Sequence, residues 1–214
     1  INPAATELVG DGVDQNCDTT ELCYVDSDND DYGTSTTVSS ANLSCADSGE
    51  APVSGDCNDG DLAIYPGATE LVGDGVDQNC DTTELCYVDS DNDDYGTSTT
   101  VSSANLSCAD SGEAPVSGDC NDGDLAINPA ATELVGDGVD QNCDTTELCY
   151  VDGDNDDYGT STTVSSANLS CADSGEAPVS GDCNDGDVAI NPAATELVGD
   201  GVDQNCDTTE LCYV

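Results

Sequence analysis

Apolar residues are sparse along the chain and occur in short stretches between long polar segments. The stretch LCYV at residues 22–25 alternates weakly and is rich in strand-forming residues, as is TTVSS at residues 36–40. We expect these two stretches to pair as a short hairpin around the acidic segment between them. In NPAATELVG, Asn2 suits a helix cap, Pro3 suits the first helical position and Gly10 can end the helix, which predicts one or two helical turns.

The apolar side chains are too few to build a large core, and Phe, Trp and Met are absent. A chain of this kind usually depends on disulfides or metal ions for its stability. No apolar run approaches the length of about 18 residues that membrane insertion requires. We expect only one small apolar cluster in each copy of the pattern, formed in the first copy by Ile1, Leu8, Val9, Val13, Leu22, Tyr24 and Val25.

The whole pattern repeats with a period of 63 residues. The segment INPAATELVGDGVDQNCD at residue 1 returns with few changes at residues 64, 127 and 190. The predicted units are therefore residues 1–63, 64–126 and 127–189, followed by a partial copy at 190–214. The fold class expected is one of small, disulfide-rich, loop-dominated repeats with short β-hairpins and one- to two-turn helices, arranged in tandem as an elongated rod.

The charge of the chain also limits how it can fold, because it carries 47 acidic residues and no Lys, Arg or His. No salt bridge between side chains is possible, and a compact state at this charge density needs bound counter-ions. Disorder is the alternative for such an acidic sequence, but 14 cysteines argue against it. Sequence-independent binding to nucleic-acid phosphates requires basic residues and is excluded, and the negative charge disfavours binding to anionic membranes. Divalent cations are the natural partners.

The cysteines indicate disulfides rather than zinc sites, since there is no CxxC pair and no histidine. Disulfides predict an oxidising, extracellular or cell-surface location. The chain has neither a signal peptide nor an initiator methionine, and we expect it to be a mature or partial chain.

The segment DSDNDDYG at residues 26–33 has the spacing of a calcium loop. Aspartates stand at positions 1, 3 and 5, and a tyrosine carbonyl falls at position 7, so that oxygens converge on one point. Position 6 is Asp31 rather than glycine, and this residue is either a left-handed turn residue or an additional ligand. Position 12 is threonine rather than glutamate, so the remaining ligands must come from elsewhere in the unit. The ligands predicted in the three copies are Asp26, Asp28, Asp30, Tyr32, Asp89, Asp91, Asp93, Tyr95, Asp152, Asp154, Asp156 and Tyr158.

Two further acidic clusters follow the same logic. In the segment DGVDQNCD the predicted ligands are Asp11, Asp14, Asn16, Asp18, Asp74, Asp77, Asn79, Asp81, Asp137, Asp140, Asn142, Asp144, Asp200, Asp203, Asn205 and Asp207. The third cluster is DCNDGD at residues 56–61, which also contains Asp59, and a glutamate of the next repeat is expected to return toward it. Its predicted ligands are Asp56, Asn58, Asp61, Glu70, Asp119, Asn121, Asp124, Glu133, Asp182, Asn184, Asp187 and Glu196.

The segment DCNDGDLAIYPGATELVGDGVDQNCD, followed by CYVDSDNDDYG, resembles a metal-binding repeat family of secreted bacterial proteins. In that family a DCxDxD…PGAxE…DGxDxxCD segment precedes a DxDGDGYG loop. More loosely, the chain resembles the calcium-binding thrombospondin type 3 repeats. Asn29 and Asp31 stand where the family has the glycines of DxDGDGYG, and Thr19 stands where it has the glycine after NCD. The resemblance implies calcium-binding, non-catalytic modules of large secreted or cell-surface proteins.

Some relatives in that family are linked to copper, but this chain lacks the His and Met ligands that copper prefers, so calcium is the ion expected. The cysteine spacing alone leaves the pairing open. The resemblance implies the pairs Cys23–Cys45, Cys57–Cys80, Cys86–Cys108, Cys120–Cys143, Cys149–Cys171 and Cys183–Cys206. Cys17 and Cys212 then remain, and their partners are expected before residue 1 and after residue 214, in further copies of the repeat or in other chains.

Three functions are open at this stage. The first is a structural one, in which calcium and disulfides stabilise an extracellular rod, stalk or filament segment, with further copies of the repeat as partners. The alternative is a calcium-dependent adhesion surface for mineral or polysaccharide. An enzyme is not expected, because the chain has no His or Lys to act as a base and no Arg to bind an anion. The Ser/Thr-rich stretch at residues 33–44 contains the sequon Asn42-Leu43-Ser44, repeated at Asn105 and Asn168, which leaves glycosylation open.

Overall fold

The structure, a computed structural model, describes residues 1–212. Each full copy of the repeat forms five short strands, and the same five recur in order along the chain. In the first copy they are β1 (Glu21–Val25), β2 (Tyr32–Gly33), β3 (Thr37–Ser40), β4 (Glu50–Ala51) and β5 (Val53–Ser54). The second copy forms β6 (Glu84–Val88), β7 (Tyr95–Gly96), β8 (Thr100–Ser103), β9 (Glu113–Ala114) and β10 (Val116–Ser117). The third forms β11 (Glu147–Val151), β12 (Tyr158–Gly159), β13 (Thr163–Ser166), β14 (Glu176–Ala177) and β15 (Val179–Ser180).

The predicted hairpin between residues 22–25 and 36–40 is confirmed. Strand β1 pairs antiparallel with β3, with Leu22 opposite Ser39 and Cys23 opposite Val38. The other edge of β1 pairs antiparallel with β4, which gives a three-stranded sheet in the order β3-β1-β4. Strands β2 and β5 form a separate parallel pair beside it. The central position of ELCYV fits its β-branched and aromatic content.

The predicted helical turns are wrong, since the part of the chain from residue 1 to 212 contains no helix. The segment after Asn2 begins as a turn, in which the backbone N–H of Ala5 donates to the carbonyl of Asn2. The donors that a helix would need are then taken by distant partners: the N–H of Leu8 donates to the side-chain oxygen of Gln15, and that of Gly10 donates to the carbonyl of Leu22. A helix this short is marginal by itself, so these tertiary hydrogen bonds determine the backbone.

The interior of each copy is small and largely polar. In the first copy the disulfide Cys23–Cys45 and Ala51 are buried together with polar side chains, namely Glu21, Asp26 and Ser40. The apolar cluster expected from the sequence does not form as a whole, because Ile1, Leu8 and Val13 are exposed. Their segment is held by hydrogen bonds and disulfides rather than by burial, which removes the need for these side chains to pack.

The turn before each central strand packs closely on the residue between the last two strands of the same copy. Gly73 has a φ of 75°, and a Cβ at this position would overlap the carbonyl oxygen of Pro115, which lies between β9 and β10. Gly136 stands in the same relation to Pro178. Only glycine satisfies both the left-handed conformation and this contact.

The described chain divides into two compact units, the first comprising Ile1–Ser117 and the second beginning at Gly118. The first unit contains β1 to β10, and the second contains β11 to β15 together with the partial fourth copy. Among the described residues no helix is long and apolar enough to cross a membrane.

Candidate metal centres

The loop DSDNDDYG is wound around the carboxylate of Asp26. Its Oδ1 accepts a hydrogen bond from the N–H of Asn29 at 2.6 Å, and its Oδ2 accepts one from Asp31 at 3.2 Å. Asn29 and Asp31 both have left-handed backbones, with φ of 64° and 73°. In the family that the sequence resembles, these two positions are glycines. Here Asn and Asp adopt the left-handed conformation instead. Asp31 is exposed, so it is a turn residue and does not contribute to the interior of the loop.

The predicted convergence of carboxylates in this loop is present. Carboxylate oxygens of Asp26, Asp28 and Asp30 lie within 4.8 Å of one another, and those of Asp89, Asp91 and Asp93 do the same in the second copy. Both carboxylate oxygens of Asp28, and Oδ2 of Asp30, are buried without a hydrogen-bond partner. Burial raises the pKa of Asp28, and neighbouring carboxylates raise that pKa further. Unpartnered buried carboxylates are costly, so this arrangement calls for a cation.

The acidic segment at residues 56–61, which the sequence-based interpretation treated as an independent cluster, lies against the DSDNDDYG loop and shares Asp28 with it. Carboxylate oxygens of Asp28, Asp56 and Asp59 also lie within 4.8 Å of one another. Ser27 fixes Asp59 by donating from its N–H to Oδ1 and from its hydroxyl to Oδ2, each at 2.7 Å. Asp59 was noted in the predicted cluster but was not among its predicted ligands. Asp61 was a predicted ligand, but its Oδ1 accepts a hydrogen bond from the N–H of Ala63 in an adjacent turn.

The second unit has the same arrangement between its own residues. The N–H of Gly153 donates to Oδ1 of Asp185 at 2.6 Å, which brings the segment at residues 182–187 against the loop at 152–159. Both oxygens of Asp154 and Oδ2 of Asp182 are buried without a partner. Burial raises the pKa of Asp154, and Asp156 and Asp182 add to that effect.

The DGVDQNCD loop is organised differently, because its own backbone occupies most of the predicted ligand oxygens. Asp77 accepts hydrogen bonds from Asp81 and Thr82 at 3.0 and 2.8 Å, and Asn79 accepts one from Asp81 at 2.9 Å. Oδ1 of Asp81 accepts both the N–H and the hydroxyl of Thr83, and the hydroxyl is the main reason that the pKa of Asp81 is lowered. The first and third full copies, and the fourth, form the same hydrogen bonds around Asp14, Asp140 and Asp203.

Glu70, which was predicted to return toward residues 56–61, binds the DGVDQNCD loop of its own copy. Its two carboxylate oxygens accept hydrogen bonds from the N–H groups of Gln78 and Asn79 at 3.3 and 3.2 Å. Glu133 takes the corresponding place beside Asn142, and its Oε1 is buried without a partner. The disulfide Cys57–Cys80 attaches the segment at residues 56–61 to this same loop, so Glu70 and that segment are held by neighbouring residues of it.

The glutamate that opens each central strand was not predicted as a functional residue. Glu84 is only 1% exposed, and its Oε1 accepts hydrogen bonds from Gly73 and Leu85, whereas its Oε2 is buried without a partner. Burial raises the pKa of Glu84. Glu147 is likewise buried and accepts from the N–H groups of Gly136 and Gly138, each at 2.9 Å. The signal available in the sequence was a lone acidic residue at the start of the most apolar strand.

Six disulfides hold these loops in place, and they are the six pairs that the family resemblance implies. Their sequence separations alternate between 22 and 23 residues, so that each closes one acidic loop. Within residues 1–212 the unpaired cysteines are Cys17 and Cys212, both exposed. Such a network requires an oxidising environment for its formation.

The sequon asparagines are exposed, but their amides are engaged. The side-chain nitrogen of Asn42 donates to Asp47 at 2.7 Å, and its oxygen accepts from the N–H of Ser44. Asn105 and Asn168 form the same hydrogen bonds.

Comparison with known proteins places the repeated loops in one family. The family model Cu-binding MopE, described as "Putative metal-binding motif", matches residues 1–21, 56–84, 119–147 and 182–210, which is just over half of the chain. The matches at residues 56–84 and 119–147 begin at an acidic segment and end at the buried glutamate that opens the next central strand, as in Asp56 to Glu84. No curated protein and no solved structure matches the chain. On the strength of these four matches, the chain belongs to this family of metal-binding repeats.

Proposed function

We propose that this chain is a structural, calcium-binding repeat protein of the extracellular space, in which calcium and disulfides together stabilise a segment of a rod, stalk or filament. The observation that carries the proposal is Asp28, whose two carboxylate oxygens are buried without partners beside Asp26 and Asp30. The chain supplies no Lys, Arg or His to balance this charge. The counter-charge therefore has to come from the medium.

The donor set favours calcium over copper. The converging groups are carboxylates, and Ca²⁺ takes about six to eight hard oxygen ligands of this kind. Copper prefers imidazole, thiolate and thioether ligands, and the chain has no His or Met. Twelve of the 14 cysteines are committed to disulfides, which removes their thiolates as ligands.

A structural role fits the even spacing of these loops along the chain. Copies every 63 residues, each with a disulfide-closed acidic loop, provide regular stabilisation along a tandem array. Catalysis has no use for one site repeated in this way, and the chain offers no His or Lys as a base. Further copies of the repeat, in the same chain or in a polymer, are the partners we propose.

Thermal unfolding of the full, disulfide-bonded chain in EGTA, and after addition of Ca²⁺, Mg²⁺ or Cu²⁺, tests the proposal. Because several sites bind to the folded state, saturating Ca²⁺ should raise the midpoint by at least about 10 °C. We expect Mg²⁺ and Cu²⁺ to raise it far less. An equal midpoint in EGTA and in Ca²⁺ would exclude a structural role for calcium, and a larger rise with Cu²⁺ would assign the sites to copper.

A further inference from the structure

The two groups of three carboxylates around the DSDNDDYG loop share one member, Asp28. One group is Asp26, Asp28 and Asp30, and the other is Asp28, Asp56 and Asp59. We propose that this is a two-ion calcium site in which Asp28 bridges the ions, one held by the loop and the other held jointly by the loop and the following acidic segment. This inference rests on the proposed calcium-binding function and adds the number of ions and the ligands of the second one.

The spacing within each group fits one coordination shell. With Ca–O distances of about 2.3–2.6 Å, oxygens on opposite sides of one ion lie roughly 5 Å apart. The oxygens of each group lie within 4.8 Å of one another. Asp26 and Asp59 belong to different groups, and only Asp28 is common to both, which is the arrangement expected of a bridging carboxylate between two neighbouring ions.

Burial supplies an independent indication that the second group is a ligand site. Asp56 is only 9% exposed, yet its Oδ2 has no hydrogen-bond partner. Its Oδ1 is used to fix the turn through the N–H of Asn58 at 2.8 Å, which leaves Oδ2 for a ligand. Both oxygens of Asp28 are also buried and unpartnered, so one oxygen is available for each ion.

The balance of charge also favours two ions. The five aspartates of the two groups carry five negative charges, and one dication leaves three of them uncompensated in a partly buried site. Two dications leave one, which is a far smaller electrostatic cost where the surroundings screen poorly.

A two-ion site has a consequence for the architecture of the first unit. Asp56 and Asp59 lie in the motif at residues 56–84, whereas Asp26, Asp28 and Asp30 lie in the loop before it. The second ion therefore crosslinks the loop of one copy to the motif that continues into the next. In the second unit the same two segments meet, since the N–H of Gly153 donates to Asp185 and both oxygens of Asp154 and Oδ2 of Asp182 are buried without a partner.

Counting bound ions in single variants tests the inference. Equilibrium dialysis of the full chain against ⁴⁵Ca²⁺, in buffered salt to suppress loose binding, gives the number of ions that each variant loses relative to the wild type. Asp28→Asn should lose two ions, and Asp59→Asn should lose one. The matched control Asp61→Asn, in the same hexapeptide but outside both groups, should lose none.

The outcomes separate the inference from the function on which it rests. If Asp28→Asn and Asp59→Asn each lose one ion, or if Asp59→Asn behaves as the control does, the site holds a single ion and the inference fails while calcium binding stands. If the wild-type chain binds no calcium, both fail. A thiol titration showing only two free cysteines verifies that each variant is folded, and the set Asp154→Asn, Asp185→Asn and Asp187→Asn repeats the test in the second unit.

Discussion

Ser27 holds the carboxylate of Asp59 at both oxygens, through its N–H to Oδ1 and through its hydroxyl to Oδ2, each at 2.7 Å. The third copy has Gly153 in place of this serine and keeps only the backbone hydrogen bond to Asp185, at 2.6 Å. Hydrogen bonds that orient a metal ligand typically contribute about 10- to 100-fold to affinity. Ser27→Gly removes one of the two bonds. It should therefore weaken calcium binding at the site formed by Asp28, Asp56 and Asp59 about 10-fold.

Isothermal titration of the chelator-treated chain measures this change. Ser35→Gly, which introduces the same backbone freedom at an exposed serine away from the carboxylates, is the matched control and should leave the affinity unchanged. An equal loss of affinity in both variants would mean that chain flexibility, and not the hydroxyl of Ser27, determines the effect.

Thr82, which directly follows the segment DGVDQNCD, is strained because its β-branched side chain adopts a φ of 70°. A left-handed conformation costs an L-residue roughly 1–2 kcal/mol, and glycine avoids that cost at the expense of greater freedom in the unfolded chain. Thr82→Gly should therefore raise the free energy of unfolding by about 1 kcal/mol, while its N–H still donates to Asp77. Urea unfolding in saturating calcium is the measurement.

The neighbouring position provides the control. Thr83 is not left-handed, and its N–H and hydroxyl both bind Asp81, so Thr83→Gly should lower the free energy of unfolding by about 1–2 kcal/mol. If both substitutions were destabilising to the same extent, strain at Thr82 would not be a feature of the fold.

Local patterns in the sequence were sufficient for the two strands of the hairpin, β1 and β3, and for the convergence of carboxylates in the DSDNDDYG loop, but not for β2, β4 and β5. The strand ELCYV and its hairpin follow from alternation and β-propensity, and the carboxylates of Asp26, Asp28 and Asp30 converge because alternate positions of a tight loop face the same point. The disulfide pairs followed from the family resemblance and not from spacing, since four cysteines in each 63-residue copy leave several pairings open.

What the sequence could not predict depends on contacts between distant segments. The helix expected after Asn2 is replaced because Gln15 and Leu22 take its backbone donors. Likewise, nothing in the spacing of Asp56 indicates that its segment folds back onto Asp28, since the parallel pairing of β2 with β5 and the hydrogen bond from the N–H of Asp56 to the carbonyl of Gly33 bring them together. Such contacts form only in the folded chain, so local sequence patterns do not reveal them.

The metal-free chain should become more stable on mild acidification. Burial raises the pKa of Asp28, Asp154 and Glu84 above the values of about 3.8 for Asp and 4.5 for Glu in the unfolded chain. A raised pKa in the folded state means that the stabilisation is fully present below the unfolded pKa and is lost as the pH rises through the folded pKa. The thermal midpoint in EGTA should therefore increase as the pH falls from about 7 toward about 4.5.

Calcium should reverse this trend, because protons compete with the ion for the same carboxylates. The midpoint in saturating calcium should fall over the same interval, so that the difference between the calcium and EGTA curves narrows with decreasing pH. Differential scanning calorimetry at several pH values measures both curves. Parallel curves would show that these buried carboxylates are not the ones that calcium neutralises.

Tyr65 lies beside the loop at residues 26–33, and its counterpart Asn191 lies beside the loop at residues 152–159, so the two loops have chemically different neighbours. The ring of Tyr65 stacks on Tyr32 with centroids 5.3 Å apart and leaves Oδ2 of Asp30 unpartnered, whereas the amide of Asn191 donates to Oδ2 of Asp156 at 2.8 Å. Tyr65→Asn should introduce that amide beside Asp30, compete with the ion for its oxygen and weaken calcium binding by the first loop several-fold. The loss of stacking should also lower the free energy of unfolding by about 0.5–1.5 kcal/mol.

The control Tyr65→Phe keeps the stacked ring without adding a donor, so calcium affinity and stability should both stay close to those of the wild type. Conversely, Asn191→Ala removes the amide that occupies Oδ2 of Asp156 and should tighten binding in the second unit. Titration calorimetry of all three variants decides the matter. If Tyr65→Asn bound calcium as tightly as Tyr65→Phe, Oδ2 of Asp30 would not be a calcium ligand, because a competing donor at a true ligand oxygen has to reduce affinity.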